Sequence, residues 1–240
     1  MDERERANRI LKILKVEFSL PKKILPRSRS RKTVFETLIR TVLSQATNDR
    51  NRDRAYKNLS AKFAVTPQAL AKADVNEIAE AIRVGGLYRN KSRKIKELSK
   101  FVLEGFQGSL DFIFSDSLPQ ARTKLMTIPG VGPKTADVVL LFSAGKPTFP
   151  VDTHVFRVSR RLRLAPLKGS YEDVRGSLES LYATGDYLPA HLLLISLGRA
   201  SCRARNPLHK SCPIRSLCPT AELEEQQPEL HNLHGSRDFP

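Results

Sequence analysis

Leu125-Met126-Thr127-Ile128-Pro129-Gly130-Val131-Gly132-Pro133-Lys134-Thr135-Ala136 is the stretch that decides how this chain folds. Two glycines flank one apolar residue, with apolar anchors on both sides. Gly130 and Gly132 have access to backbone angles closed to other residues, so the pattern predicts a tight turn between two short helices. The bare turn exposes backbone N–H groups, and the helix that follows adds its positive N-terminal end. The expectation is a phosphate-binding site built from the backbone of Gly130, Val131 and Gly132, with no side chain required.

Outward from this turn the periodicity is helical almost everywhere. Leu118-Pro119 opens a short helix ending near Met126, and another runs from Lys134 to Ser143. Upstream, Ile10, Leu11, Ile13, Leu14 and Phe18 form one apolar face. Val34, Leu38, Ile39, Val42 and Leu43 form a second, which runs out near Ser44. Thr66-Pro67 is an N-cap followed by a first-turn proline, opening Gln68 to Lys72. Further helical segments are Val75 to Ile82 and Ser92 to Leu103, separated by Gly85-Gly86. Downstream lie Val151 to Leu162, Tyr171 to Tyr182 and Pro189 to Arg199. Alternating strand patterns are nearly absent, so the fold class is all-α. The basic, proline-bearing stretch Pro21 to Lys32 reads as a linker, and the polar residues from Pro219 onward as a mobile tail.

Composition narrows the partner. The 240 residues are 40% apolar, enough for a sizeable core. Lysine and arginine number 41 against 25 acidic residues, a formal charge of +16 that favours a polyanion over a small metabolite. Met1 to Arg9 is too charged for a secretory signal, and no apolar run approaches the ~18 residues of a membrane helix. Three cysteines confined to positions 202–218 do not make a secreted disulfide framework. They fit a local metal site in a reducing interior, and an intracellular protein without membrane attachment is expected.

Lys134 has two readings. It is either one more phosphate contact at the head of a helix or a nucleophile. As a nucleophile it must lose a proton, which costs about 4.6 kcal/mol at pH 7 for an ordinary lysine of pKa about 10.4. A helix N-terminus or partial burial lowers that cost. Position alone does not decide. About twenty residues on stands Val151-Asp152-Thr153-His154-Val155, where Asp152 is also a sound N-cap for the helix that follows.

The two motifs together, Pro-Gly-Val-Gly-Pro-Lys-Thr-Ala and Val-Asp-Thr-His-Val, are similar to the signature of the endonuclease III family. These DNA glycosylases are built on a helix–hairpin–helix motif. The resemblance runs from about residue 31 to 218. It implies that Lys134 is the Schiff-base lysine and Asp152 the catalytic aspartate. His154 is taken as structural. The residue types suit the chemistry: a carboxylate steadies positive charge on a sugar whose N-glycosidic bond breaks, and an amine captures the anomeric carbon.

A glycosylase takes its target nucleotide out of the stack and fills the gap. The resemblance implies Gln45, in Leu43-Ser44-Gln45-Ala46-Thr47-Asn48, and Leu87, in the loop Gly86-Leu87-Tyr88-Arg89-Asn90-Lys91, as the filling residues. On their own they would read as a helix-end polar cap and a core leucine. Arg89 and Lys91, with Arg93 and Lys94, are expected to contact phosphates. The family's acidic residue after Gln-Ala-Thr is Asn48 here, which leaves a carboxylate role at that place in doubt.

The family's four cluster cysteines match Cys202, His209, Cys212 and Cys218, with spacings kept and a histidine in the second place. The resemblance implies a [4Fe–4S] cluster on three thiolates and one imidazole, and histidine can serve as a cluster ligand. Zinc on the same four residues, or no metal, are the alternatives. Around the metal loop, Arg203, Arg205, Lys210 and Arg215 suit a DNA-facing surface.

The architecture implied is two helical lobes with a DNA-binding cleft between them. One spans about residues 31–146 and carries the hairpin; the other joins 1–30 to 147–218 and carries Asp152 and the metal loop. The expected activity is a bifunctional glycosylase and abasic-site lyase. It would work as a monomer on double-stranded DNA, with oxidised pyrimidines as the default substrate. The rivals are a monofunctional uracil or thymine-mismatch glycosylase, which Lys134 disfavours, and a non-catalytic DNA clamp, which leaves Asp152 unaccounted for.

Overall fold

The structure is a computed structural model that describes residues 1–20 and 31–226, and among these every regular element is helical. The helices fall into two compact units. One ends at Lys146, and the other combines the N-terminal helix with the chain from Pro147 onward.

In the first unit, α2 (Arg31–Ser44), α3 (Asp49–Lys62), α4 (Pro67–Lys72), α5 (Val75–Ala81), α6 (Tyr88–Gly105), α7 (Phe112–Ser115), α8 (Leu118–Met126) and α9 (Pro133–Ala144) surround one core, following α1 (Glu3–Glu17) in the chain. Leu38, Ile39, Val42, Ile95, Leu98, Val102, Val139 and Leu140 are fully buried in it. The long α6 packs on α4 and α5, while α2 packs on α9 and α8 lies against α9. The expected starts at Thr66-Pro67 and Leu118-Pro119 are present: Thr66 accepts the amide of Ala69, and α8 begins at Leu118, where Ser117 with Gln120 adds a reciprocal cap not named from the sequence. At the end of α9, Gly145 closes the helix in the left-handed region, φ +63°.

The second unit holds α1, α10 (Thr153–Arg161), α11 (Tyr171–Leu181), α12 (Tyr187–Ala200) and α13 (Pro219–Gln226). Buried Ala7, Ile10, Leu11 and Leu14 give α1 its inward face, which packs on α11 and α12. Ser170 and Asp173 form the second reciprocal cap, at α11.

Four expectations need correction. Asp49–Lys62, assigned no element above, is a helix with only Ala55, Tyr56 and Leu59 buried, so its apolar stripe is too thin to stand out. Exposed ion pairs between Arg52 and Asp49 and between Arg40 and Asp53, and Arg40 lying 3.5 Å over the Tyr56 ring, add to that burial. The loop expected to run to Lys91 stops at Leu87, because Tyr88 already begins α6. The expected tail starts too early: Pro219–Gln226 is helical, Ala221 is buried, and the Thr220 hydroxyl donates to the Arg161 carbonyl at 2.7 Å. Of the expected linker, Arg31 and Lys32 belong to α2, and residues 21–30 lie outside the described residues, as does the tail beyond 226.

Candidate functional site

The hairpin is built as a turn between α8 and α9. Ile128 and Val131 are buried, and the Val131 amide donates to the Ile128 carbonyl at 3.0 Å, which closes the turn. Gly130 sits at φ +79°, where a side chain would be strained. Gly132 does not: it is extended, and the space its missing Cβ would take is open. Its value is room for close approach, not an unusual angle. Val131 itself is 5% exposed. The α9 N-terminus has no side-chain cap, which leaves its first amides facing outward. The exposed Lys94 lays its aliphatic stem against Gly130, adding positive charge beside the turn.

Lys134 is half-buried in the first turn of α9. Asp152 sits at the N-cap of α10, half-exposed, with Oδ1 accepting the Val155 amide at 2.8 Å and its carbonyl accepting the Phe156 amide at 2.8 Å. The capping role expected from the sequence is therefore present, and it fixes the carboxylate's rotamer. A Cβ on Gly198 of α12 would come within 3.0 Å of His154, so the missing side chain makes room for it, and His154 Nδ1 lies 3.2 Å from the Arg157 guanidinium. Burial holds its pKa below the usual histidine value.

Leu87 is 59% exposed, and its backbone lies in the left-handed region, φ +48°. A branched apolar residue in that region is strained, and exposure removes any packing gain that would offset it. The strained backbone holds the Leu87 side chain out in solvent. Gln45 is half-exposed in the turn after α2, where Ala46 also has positive φ, +49°. Asn48 caps α3 by accepting the Asn51 amide at 2.8 Å, a helix-capping use for that position.

The expected phosphate contacts separate. Arg89 and Arg93 are on the open side of α6, where with Arg83 and Tyr88 they line a polar recess of about 430 Å³. Arg83 and Tyr88 were not singled out in the sequence, although they flank Leu87 at short spacing. Lys91 is a correction: it is 2% exposed, with Nζ donating to the Leu43 carbonyl at 3.0 Å and the Gly85 carbonyl at 2.8 Å. Its charge is spent closing the end of α2 onto the turn before α6, and burial lowers its pKa.

Cys202, His209, Cys212 and Cys218 line one recess together with Leu197, Leu208 and Ile214. The recess is tight, with a cavity volume of about 20 Å³. Backbone amides point at sulfur: Ile214 at Cys212, and Thr220 and Ala221 at Cys218. Arg161 reaches Cys202 Sγ at 3.5 Å. Burial pushes the Cys212 and Cys218 thiols above their ordinary pKa, so a bound cation is what would make them thiolates. Among the described residues no three His, Cys, Asp or Glu side chains converge on a position for a single metal ion. Arg157 and Arg161, one turn apart on α10, hold the loop by donating to the carbonyls of Cys202 and Arg203 at 3.0 and 2.6 Å. Their i, i+4 spacing was the available signal for this role. Arg203, Arg205, Lys210 and Arg215 are exposed around the loop.

Comparison with known proteins agrees with these features. Residues 39–184 match the family description "HhH-GPD superfamily base excision DNA repair protein". Endonuclease III of Sulfolobus acidocaldarius is 36% identical over 188 residues, covering 78% of this chain and 82% of that protein. Endonuclease III of Escherichia coli strain K12 is 36% identical over 188 residues, covering 78% and 84%. The fold superposes on a trapped endonuclease III–DNA covalent intermediate, an estranged-adenine complex, with a TM-score of 0.77 at 31% identity. That match covers 94% of this chain and all of the other. On its motifs, its all-helical fold and these relatives, the chain belongs to the endonuclease III family.

Proposed function

We propose that this enzyme removes damaged bases, oxidised pyrimidines by default, from double-stranded DNA and then cuts the abasic site it has made. The observation that carries the reading is Lys134, half-buried in the first turn of an uncapped helix directly after the glycine hairpin. A helix N-terminus there favours the neutral amine and, with Lys94, attracts the DNA backbone.

The chemistry proceeds in balanced steps. As the N-glycosidic bond lengthens, the Asp152 carboxylate stabilises the positive charge that develops on the sugar. Lys134 Nζ, deprotonated, attacks C1′, and the base leaves with the bonding electrons and takes up a proton. The sugar ring opens to an iminium on Nζ. Loss of a C2′ proton then expels the 3′ phosphate by β-elimination, and water releases the lysine. Leu87 and Gln45 fill the stack while the nucleotide is out. Arg89 and Arg93 bind phosphates; Lys91, buried, does not.

The residues of the metal loop fit a [4Fe–4S] cluster better than a single zinc. Four potential ligands line one recess, and backbone amides point at two of the sulfurs, a pattern that stabilises cluster thiolates. Zinc would draw all four donors to within about 2.0–2.3 Å of one ion. Cys202, Cys212, Cys218 and His209 would hold the cluster, which would brace the exposed arginines of the loop. Purified protein should be yellow-brown with iron and sulfide in equal amounts; colourless protein with stoichiometric zinc would reverse the assignment. The enzyme's place is inside the cell, with its DNA.

Borohydride trapping on duplexes carrying thymine glycol, uracil or an abasic site tests the main reading. A covalent adduct that vanishes in Lys134→Ala is expected. Base release without an adduct would replace it with the water-using monofunctional glycosylase.

A further inference from the structure

Thr148, Phe149, Pro150 and Val151, the residues leading into Asp152, are buried yet belong to no helix. A buried segment outside regular structure must find partners for its backbone groups elsewhere. Here side chains supply them. The Phe149 amide donates to Glu179 Oε1 at 2.9 Å, and the Val151 amide donates to the Tyr171 hydroxyl at 3.2 Å. His191 Nδ1 lies 2.8 Å from the Pro150 carbonyl, which can only accept, so the proton is on Nδ1. Three successive residues are thus tied to α11 and α12.

The three side chains are themselves fixed. Arg175 grips Glu179 at 2.9 and 3.1 Å and Glu172 at 2.8 Å. His191 is 3% exposed, edge-on to the buried Phe149 ring with centroids 6.4 Å apart. Tyr171 opens α11 behind its reciprocal Ser170–Asp173 cap. On its other side Asp152 is held by the Val155 and Phe156 amides of α10.

We infer that Tyr171, His191 and Glu179 are positioning residues for the Asp152 carboxylate, setting the backbone from which it projects through hydrogen bonds to residues 149–151. The inference rests on Asp152 being the catalytic aspartate. A carboxylate that steadies a developing charge loses most of its effect when displaced by about 1 Å, whereas DNA affinity, set by phosphate contacts, does not depend on it.

The test measures single-turnover base release and affinity for a duplex carrying a non-cleavable abasic analogue. Tyr171→Phe keeps the ring and removes only the acceptor. His191→Leu removes the donor, and His191→Asn restores an N–H at the position of Nδ1. Asp152→Asn is the reference. Tyr171→Phe and His191→Leu should slow base release about tenfold or more with affinity unchanged, and His191→Asn should recover most of the loss. Should His191→Leu fail to fold, Tyr171→Phe decides. Wild-type rates in these variants beside an inactive Asp152→Asn would overturn the inference and leave the role of Asp152 standing. A parallel fall in affinity and rate, without rescue by asparagine, would overturn it as well, by making the contacts general supports of the fold. An active Asp152→Asn would remove the premise itself.

Discussion

The Asp152 carboxylate caps α10 by accepting the Val155 amide at 2.8 Å, and in the proposed mechanism the same charge serves the sugar during base release. The two uses separate by substitution. Asparagine keeps an acceptor oxygen and loses the charge; alanine loses both. Asp152→Ala should therefore cost about 1 kcal/mol of stability and Asp152→Asn much less, in denaturant titrations, while both abolish base release. Leu87 presents the opposite trade. Its left-handed backbone, φ +48°, is unfavourable for leucine, and 59% exposure means little packing is lost on removing it. Leu87→Gly should raise stability by about 1 kcal/mol and lower base release from duplex DNA. A melting temperature that falls would show that Leu87 is held by packing, as a core leucine is.

At the scale of elements, turns and helix ends do most of the arranging. The α8–α9 hairpin is held from within by a pair that spans it: Arg122 on α8 makes a bidentate ion pair with the fully buried Asp137 on α9 at 2.8 and 3.2 Å. Lys91 ties the end of α2 to the turn before α6 in the same manner, with an ammonium in place of a cap. Replacing it with alanine leaves two buried carbonyls without their donor. Lys91→Ala should cost about 1.5–3 kcal/mol in chemical denaturation and leave the salt dependence of DNA binding unchanged. A reduced salt dependence with intact stability would return Lys91 to the phosphate contacts.

Across the whole molecule, a charge of +16 is the dominant long-range term. Affinity for undamaged duplex should fall steeply with salt, log affinity losing about 0.9 per log unit of salt for each phosphate neutralised. Arg89→Ala should reduce that slope by about 1 and weaken binding alike on damaged and undamaged sequences. A slope near zero would remove the backbone-clamp reading of the hairpin and of the arginines beside Leu87. No helix of the described residues is long and apolar enough to cross a membrane.

Much of this was legible along the chain, because helices, caps and glycine turns are local. The Ile128–Val131 anchors, the caps at Thr66 and Asp152, and the paired motifs around Lys134 and Asp152 are each written within a dozen residues. They determined the all-α fold class and the family's chemistry. What only the tertiary structure decided depends on partners far away in sequence. Lys91 has the composition of a phosphate contact, but its partner carbonyl on Leu43 lies 48 residues off, and burial there spends its charge inside the protein. Thr220 finds Arg161 across 59 residues and so extends order past the expected start of the tail. Asn48 looks like a lost carboxylate until its cap on α3 is seen, and α3 buries only Ala55, Tyr56 and Leu59, a stripe too thin to stand out along the chain. The bonds that fix Phe149, Pro150 and Val151 reach across 20 to 41 residues. A periodic pattern records which side chains face inward. It carries no information about which distant polar group each buried one will meet, since that pairing exists only once the helices have packed.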